Sequence, residues 1–325
     1  MQISADFMQI WKSSDTTCTV GILLFDAFSN HCLANAVEPL RAANTLARKQ
    51  LYQWQFLSLQ GGTITSSSGL PVHTEHTLRH HSGGDYLFIM PSYGFQSHAT
   101  LACNQALRSA STRYKTLVGM DMGSWLLASA GLLDGRCATI HWDEIDAFAE
   151  RFPDVTVSED RIVKDGNILS CGGVTTTFDL VLSLIEDHHG PMLGLEVSSL
   201  FMYGEKAMII GNRPSTTKPQ KIRAATALMR RNIETPISIP DLAERIGLTE
   251  KAFTAACKTA YGFGPRRLYQ AIRLREARRL ATHSSISIAE IADRCGYQNA
   301  SAMTRAFRAE FGCTVSDLRK TPTDR

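Results

Sequence analysis

The stretch GMDMGSW, residues 119–125, joins a short apolar run, YKTLVG, to a helical one, SWLLASAGLL. Gly119, Gly123 and Ser124 are small enough for a strand to turn sharply into a helix between them. In enzymes built on such an elbow, the tip residue is a nucleophile, most often Cys or Ser. Here the tip is Asp121. A carboxylate at that point has three chemistries open to it. It can attack an electrophile, which demands a partner base and an oxyanion hole. It can accept N–H groups of the helix starting near Met122 and so cap it. Or it can hold a ligand. Trp125 lies one turn into the elbow helix, Trp142 follows His141, and Tyr93 sits in the PSYG turn after a strand. A carboxylate beside aromatic faces suits an organic cation, through Coulomb attraction and cation–π contact. Core packing is the other use of either tryptophan.

A second group of chemical residues lies in the last third. Residues 206–325 carry 22 Lys+Arg against 10 Asp+Glu, a net charge of +12, whereas residues 1–205 sum to −9. A basic module joined to an acidic one points to nucleic-acid binding by the former. The basic part also repeats itself. IPDLAERIGLTEKAFTAACKTAYGFGP (239–265) aligns with IAEIADRCGYQNASAMTRAFRAEFGCTV (288–315). Ala243 and Gly247 match Ala292 and Gly296 at an offset of 49, and Tyr261 and Gly262 match Phe311 and Gly312 at an offset of 50. Each copy meets the needs of a helix-turn-helix: a small Ala for close approach, a Gly for the turn, and an apolar anchor, Phe253 or Met303, on the second helix. RRLYQAIRLREARRLATHSSIS (266–287) reads as a long connecting helix whose many arginines fit a solvated spacer.

This region resembles the DNA-binding domain of AraC/XylS-type transcriptional regulators, with Val315 in the closing FRAEFGCTVSDLRK where Pro is common. The resemblance implies two helix-turn-helix units reading successive major-groove segments of double-stranded DNA. It places the first recognition helix at 249–260, presenting Thr249, Glu250, Lys251, Thr254, Ala255 and Lys258. It places the second at 299–310, presenting Asn299, Ala300, Ser301, Thr304, Arg305 and Arg308. The second is richer in long donors, so more of the base discrimination is expected there, or from Lys251 and Thr254 compensating in the first. Lys258 and Arg308 also fit phosphate contacts.

The elements that must position the elbow come before this. From residue 18 to about 200, strand-like runs (CTVGILLF, YQWQFLSL, DYLFIMP, KTLVGMD, CATIHW, GNILSCGG) alternate with helical ones. The alternation predicts an α/β fold with a doubly wound, mainly parallel sheet, followed by an all-α domain with two helix-turn-helix units. GNRPSTTKPQ (211–220) reads as a linker. The division is therefore an extension at 1–17, an α/β sensing and dimerisation domain at 18–205, a linker at 206–220 and a DNA-binding domain at 221–325.

VGILLFDAFS, VEPLRAAN, FIMPSYG, AGLLDGRCATIHW, FAERFPDVTV and DGNILSCGG together resemble the ThiJ/PfpI group, which has a class I glutamine-amidotransferase-like fold. In particular they resemble the sensor half of GlxA-type AraC regulators. Enzymatic relatives use an elbow Cys, an acid from an early loop and often a His. By that correspondence the elbow residue is Asp121, the acid falls near His31 or Cys32, and His141 matches the family His. The catalytic set is depleted, and Cys32, alone in an apolar helix, fits core. The expectation is a non-enzymatic transcription regulator, an activator by resemblance, with Asp121, Trp125, His141, Trp142 and Tyr93 around a small-molecule effector. Resemblance makes that effector an amino acid or quaternary amine, and RNA polymerase a partner. The alternatives are an amidase or glyoxalase-like hydrolase with a DNA-binding tail, and a ligand-independent regulator whose front domain only dimerises.

The rest is exclusion. Eight widely spaced Cys without C-x-x-C argue against a zinc site or disulfide framework. HTEH (73–76) and HH (80–81) lack metal-ligand spacing and read as a solvated loop. No basic start with an apolar block opens the chain, and no run approaches the roughly 18 residues of a membrane span. A cytoplasmic homodimer without cofactor or metal is expected.

Overall fold

The computed structural model describes residues 16–201 and 218–320. Most of the expected extension and linker lies outside the described residues. Residues 218–220, expected in the linker, already belong to a helix. The chain divides into two compact units, with the division falling within Pro191–Leu200.

The first unit runs β1 (Cys18–Leu24), α1 (Asn30–Ala47), β2 (Tyr52–Ser58), β3 (Gly62–Thr65), β4 (Pro71–Thr74), β5 (His76–Thr77), β6 (Gly84–Met90) and α2 (Leu101–Ser111). It continues through β7 (Tyr114–Met120), α3 (Gly123–Ser129), β8 (Cys137–Ala138), α4 (Ile145–Arg151), β9 (Thr156–Val157), β10 (Ile162–Asp165), β11 (Ile168–Cys171) and α5 (Val174–His189), and α6 (Pro191–Leu200) is divided between the two units. The main sheet has seven strands in the order β10-β11-β7-β6-β1-β2-β5. Every neighbouring pair is parallel except β10–β11. Strands buried on both faces explain the continuous apolar runs. Leu23, Leu57, Leu87, Ile89 and Leu117 pack with Leu107 of α2 and Leu126 and Leu127 of α3. The two-residue period leaves Ile22, Leu24, Phe88 and Val118, also buried, for the opposite face, where α1 packs against α5. Each such side chain contributes about 1.5–3 kcal/mol by its burial.

Two expectations need correction. CATIHW supplies only the two-residue β8, which pairs with β9 outside the main sheet. Beyond it, side chains replace the ladder: Thr139 N–H donates to Ser170 Oγ at 2.9 Å, and Thr139 O accepts from Ser124 Oγ at 2.6 Å. HTEH is not a solvated loop. His73 and Thr74 end β4, which forms a hairpin with β3, while His76 starts β5 at the sheet edge. These strands are short and polar, and the Ser58–Thr74 hydroxyl pair, 2.9 Å apart, fixes them where apolar alternation does not.

The second unit is helical: α7 (Lys218–Arg231), α8 (Ile239–Arg245), α9 (Glu250–Tyr261), α10 (Pro265–His283), α11 (Ile288–Arg294), α12 (Ala300–Phe311) and α13 (Val315–Lys320). The sequence repeat becomes a structural one. Ser238 and Ser287 cap α8 and α11, and Gly262 and Gly312 end α9 and α12 in left-handed geometry. Phe253 and Cys257, like Met303 and Phe307, are fully buried on the inner faces. The turns pivot on Gly247 and Gly296, at φ 65° and 67°. Gly296 is the more confined, since a Cβ there would lie 2.5 Å from Ile233 O. Gly296→Ala is expected to cost about 3 kcal/mol, from strain and overlap together. Gly262→Ala, with nothing within 4 Å, should cost only about 1 kcal/mol. Chemical denaturation of the two variants checks this, and equal losses would refute the role of the Ile233 contact.

Candidate functional site

The elbow forms because strand β7 ends against β6 with no room for side chains. A Cβ on Gly123 would sit 2.3 Å from Ile89 O. Asp121, between β7 and α3, adopts φ 57°, a left-handed conformation that non-glycine residues seldom take and that is concentrated at functional sites. Sheet order reverses between β1 and β6, and in such folds the crevice beyond the strand ends at that reversal binds ligands. Asp121 lies beside this crevice.

Its carboxylate is buried, at 6% exposure. Oδ2 accepts from Ser92 Oγ at 2.7 Å, and Ser92 Oγ accepts from Ser29 N–H at 3.0 Å. Ser29 is the N-cap of α1, so one hydroxyl ties the elbow to that helix. The capping role fails. Met122 precedes α3 without any side-chain cap, because the carboxylate is turned toward Ser92 instead. Burial holds the Asp121 carboxyl above the ordinary aspartate range, against the opposing pull of the Ser92 hydrogen bond and of His141. The elbow N–H that would face an oxyanion is engaged, with Met122 N–H donating to Pro91 O at 3.3 Å.

Beneath the elbow lie two thiols. Cys32 Sγ is 3.3 Å and Cys171 Sγ 3.7 Å from Thr177 Oγ1. Burial, with the Asp121 charge added, pushes the Cys32 thiol far up, and burial raises Cys171 to about 11. Both are protonated at neutral pH and poor nucleophiles. His31, the other position expected for the missing acid, is exposed.

The structure separates the expected aromatic residues. Trp125 is 7% exposed and packs on Phe95, Phe148 and Phe152, with ring centroids 5.1, 6.1 and 5.2 Å away. Its faces are taken up by the core. Tyr93 and Trp142 are open at 67% and 73% exposure, and Trp142 lies beside half-buried His141 at 5.7 Å between ring centroids. Ser92 and Thr177 join the site only through the fold, and no motif in the sequence marks them. The position of Ser92 straight after Pro91, at the end of a central strand, was its one available signal.

On the basic unit, both recognition helices begin one residue later than expected. Thr249 and Asn299 are their N-caps, accepting from Ala252 N–H at 3.2 Å and Ala302 N–H at 2.8 Å. Asn299 Oδ1 is thereby used, and its amide N–H groups stay available as donors. Glu250, Lys251, Thr254, Ala255 and Lys258 line one shallow concave surface on α9. On α12, Ser301, Arg305 and Arg308 are exposed and Thr304 half-buried. Among the described residues, Lys251, Lys258, Arg305 and Arg308 make no intramolecular ion pair. The arginines of α10 differ from a solvated spacer. Arg273 Nε donates to Cys295 O at 2.7 Å and lies over the Tyr297 ring at 4.2 Å, and Arg278 lies over Phe311 at 5.2 Å. They fasten the connecting helix to the second helix-turn-helix.

Residues 20–187, more than half of the chain, match the DJ-1/PfpI family. The chain belongs to that family. Residues 242–321 match a helix-turn-helix domain. The HTH-type transcriptional regulator CdhR of Pseudomonas aeruginosa is 34% identical over 304 residues, covering 91% of this chain and 90% of that one. The HTH-type transcriptional regulator GlxA of Rhizobium meliloti is 33% identical over 309 residues, covering 93% and 95%. A solved AraC family transcriptional regulator from Pseudomonas putida shares the fold, with a TM-score of 0.50 at 23% identity over 57% of this chain and 99% of that one. This DJ-1/PfpI protein with an AraC-type helix-turn-helix domain is thus an HTH-type transcriptional regulator. Among the described residues no helix is long and apolar enough to cross a membrane.

Proposed function

We propose that the DJ-1/PfpI unit is a non-catalytic sensor whose effector, a small organic cation such as an amino acid or quaternary amine, controls sequence-specific DNA binding by the basic unit. Asp121 anchors the cation, and His141, Trp142 and Tyr93 stand at the mouth. The observation that carries this reading is the buried elbow carboxylate, whose one hydrogen-bonding side chain among the described residues is Ser92. A buried carboxylate in that state gains from a cation. Hydrolysis is opposed by the engagement of Met122 N–H and by the protonated thiols. Thr249, Lys251, Thr254, Lys258, Asn299, Ser301, Thr304, Arg305 and Arg308 meet DNA. The front unit dimerises in the cytoplasm, which raises the effective concentration of the second DNA-binding unit at the site. Activation then proceeds through RNA polymerase.

Thermal melting of the full chain against a panel of amino acids and quaternary amines tests the sensor. A binder at about 100 times its Kd stabilises by about 2.7 kcal/mol and raises the melting temperature. The same compound should shift affinity for DNA. No shift across the panel, or amide or glyoxal turnover abolished by Asp121→Asn, would overturn the reading.

A further inference from the structure

The two helix-turn-helix units are nearly repeated, and one departure from the repeat stands out. On α12 the inward stripe of Met303 and Phe307 continues at Glu310, where the first copy has the exposed Ala260 on α9. The spacing of 303, 307 and 310 is that of one helix face. Glu310 therefore points inward while Ser301, Arg305 and Arg308 point out. Its side chain is 2% exposed and pairs with Arg267 at 2.6 Å. Arg267 also donates to Gln270 Oε1 at 3.4 Å. Below it, half-buried Arg275 lies within Coulomb reach of the same carboxylate, and Arg278 adds a further positive charge nearby.

The position of Arg267 gives the pair its meaning. It is the third residue of α10, five residues beyond Gly262, where the first recognition helix ends. The ion pair thus runs from the exit of α9 to the last turn of α12. The pair is half-buried, with the Arg267 side chain 35% exposed over the enclosed Glu310 carboxylate. A largely enclosed pair of this kind is a weak stabiliser compared with apolar packing, and its best-attested use is fixing register. Two neighbours act in the same sense: Tyr269 OH donates to Asn232 O at 2.6 Å, and the Ile233–Pro236 loop closes on Gly296.

We propose that Glu310 is a positioning residue for DNA reading, which through Arg267 holds the second recognition helix at one fixed setting relative to the first. It touches no base. It makes the protein sensitive to the separation of the two groove segments it reads.

The test uses the full chain and a duplex that the wild-type protein selects from randomised DNA. A second duplex carries one base pair inserted between the two segments, a displacement of about 3.4 Å. Wild type should lose about tenfold in affinity on the insertion, since simultaneous engagement depends on geometry. Glu310→Gln should lose about tenfold on the selected duplex, while its penalty for the insertion falls to about twofold or less. Arg267→Met, which leaves Glu310 facing Arg275, should behave the same way even if Glu310→Gln fails to fold. Arg267→Lys, which keeps the charge, should restore part of the spacing penalty. A folded Arg267→Met variant that keeps the full insertion penalty would overturn the proposal, whether or not its affinity for both duplexes falls.

Discussion

Arg305→Ala is expected to weaken binding to the selected duplex by about 1–3 kcal/mol and to flatten preference at one base position. Affinity for random duplex should fall far less. Arg305 stands at mid-helix on the exposed face of α12, flanked one turn away by Ser301 and Arg308, and among the described residues it makes no ion pair. The equivalent position on α9 is Ala255, which cannot reach a base-edge acceptor. The two units therefore differ in what they can read, with the guanidinium fork present in the second alone at this position. Fluorescence anisotropy on both duplexes at several salt concentrations separates the roles. A base-reading Arg305 leaves the salt slope nearly unchanged, whereas a phosphate contact lowers it by about one and weakens both duplexes alike. The second pattern would remove Arg305 from the base readers.

The legible and illegible parts of the chain differ for physical reasons. The helix-turn-helix pair was readable because its requirements are local: a turn Gly, a small Ala and an apolar anchor recur at fixed spacing in both copies. Thr249 and Asn299 were displaced by one residue because a cap belongs half to its helix, with extended backbone and a side chain that still faces it. The elbow was readable from Gly119, Gly123 and Ser124, since close approach leaves a mark in residue size. What Asp121 does was not, because its partner Ser92 lies 29 residues away and meets it only across the sheet. The same limit hid the role of Trp125, whose partners Phe95, Phe148 and Phe152 come from other elements. It also hid the α10 arginines. A cation on a helix face looks the same in sequence whether it meets water or, as with Arg273, the Cys295 carbonyl at the end of α11.

Asp121→Asn is expected to raise the melting temperature of the ligand-free protein at pH 8 and to weaken an organic cation by about 1–3 kcal/mol. The two effects share one cause. Burial raises the folded-state pKa of Asp121 above its ordinary value of 3.8. A group shifted in that direction favours the fold fully below the unfolded-state value, and the advantage is lost as pH rises through the folded-state value. At pH 8 the ionised carboxylate is therefore a burden on the empty site. Asn removes the charge, keeps an oxygen to accept from Ser92, and tolerates the left-handed backbone at φ 57° about as well as Asp does. The gain of the variant should shrink as pH falls toward 3.8, where wild type carries its proton too. Bound cation reverses the order, since only wild type then has a counter-charge for it. A structural aspartate without ligand would show the pH-dependent gain but no loss of affinity. A capping aspartate would instead lose about 1 kcal/mol at neutral pH. Melting curves of both proteins from pH 4 to 8, each with and without the cation, separate these cases, and unchanged affinity in the variant would remove Asp121 from the effector site.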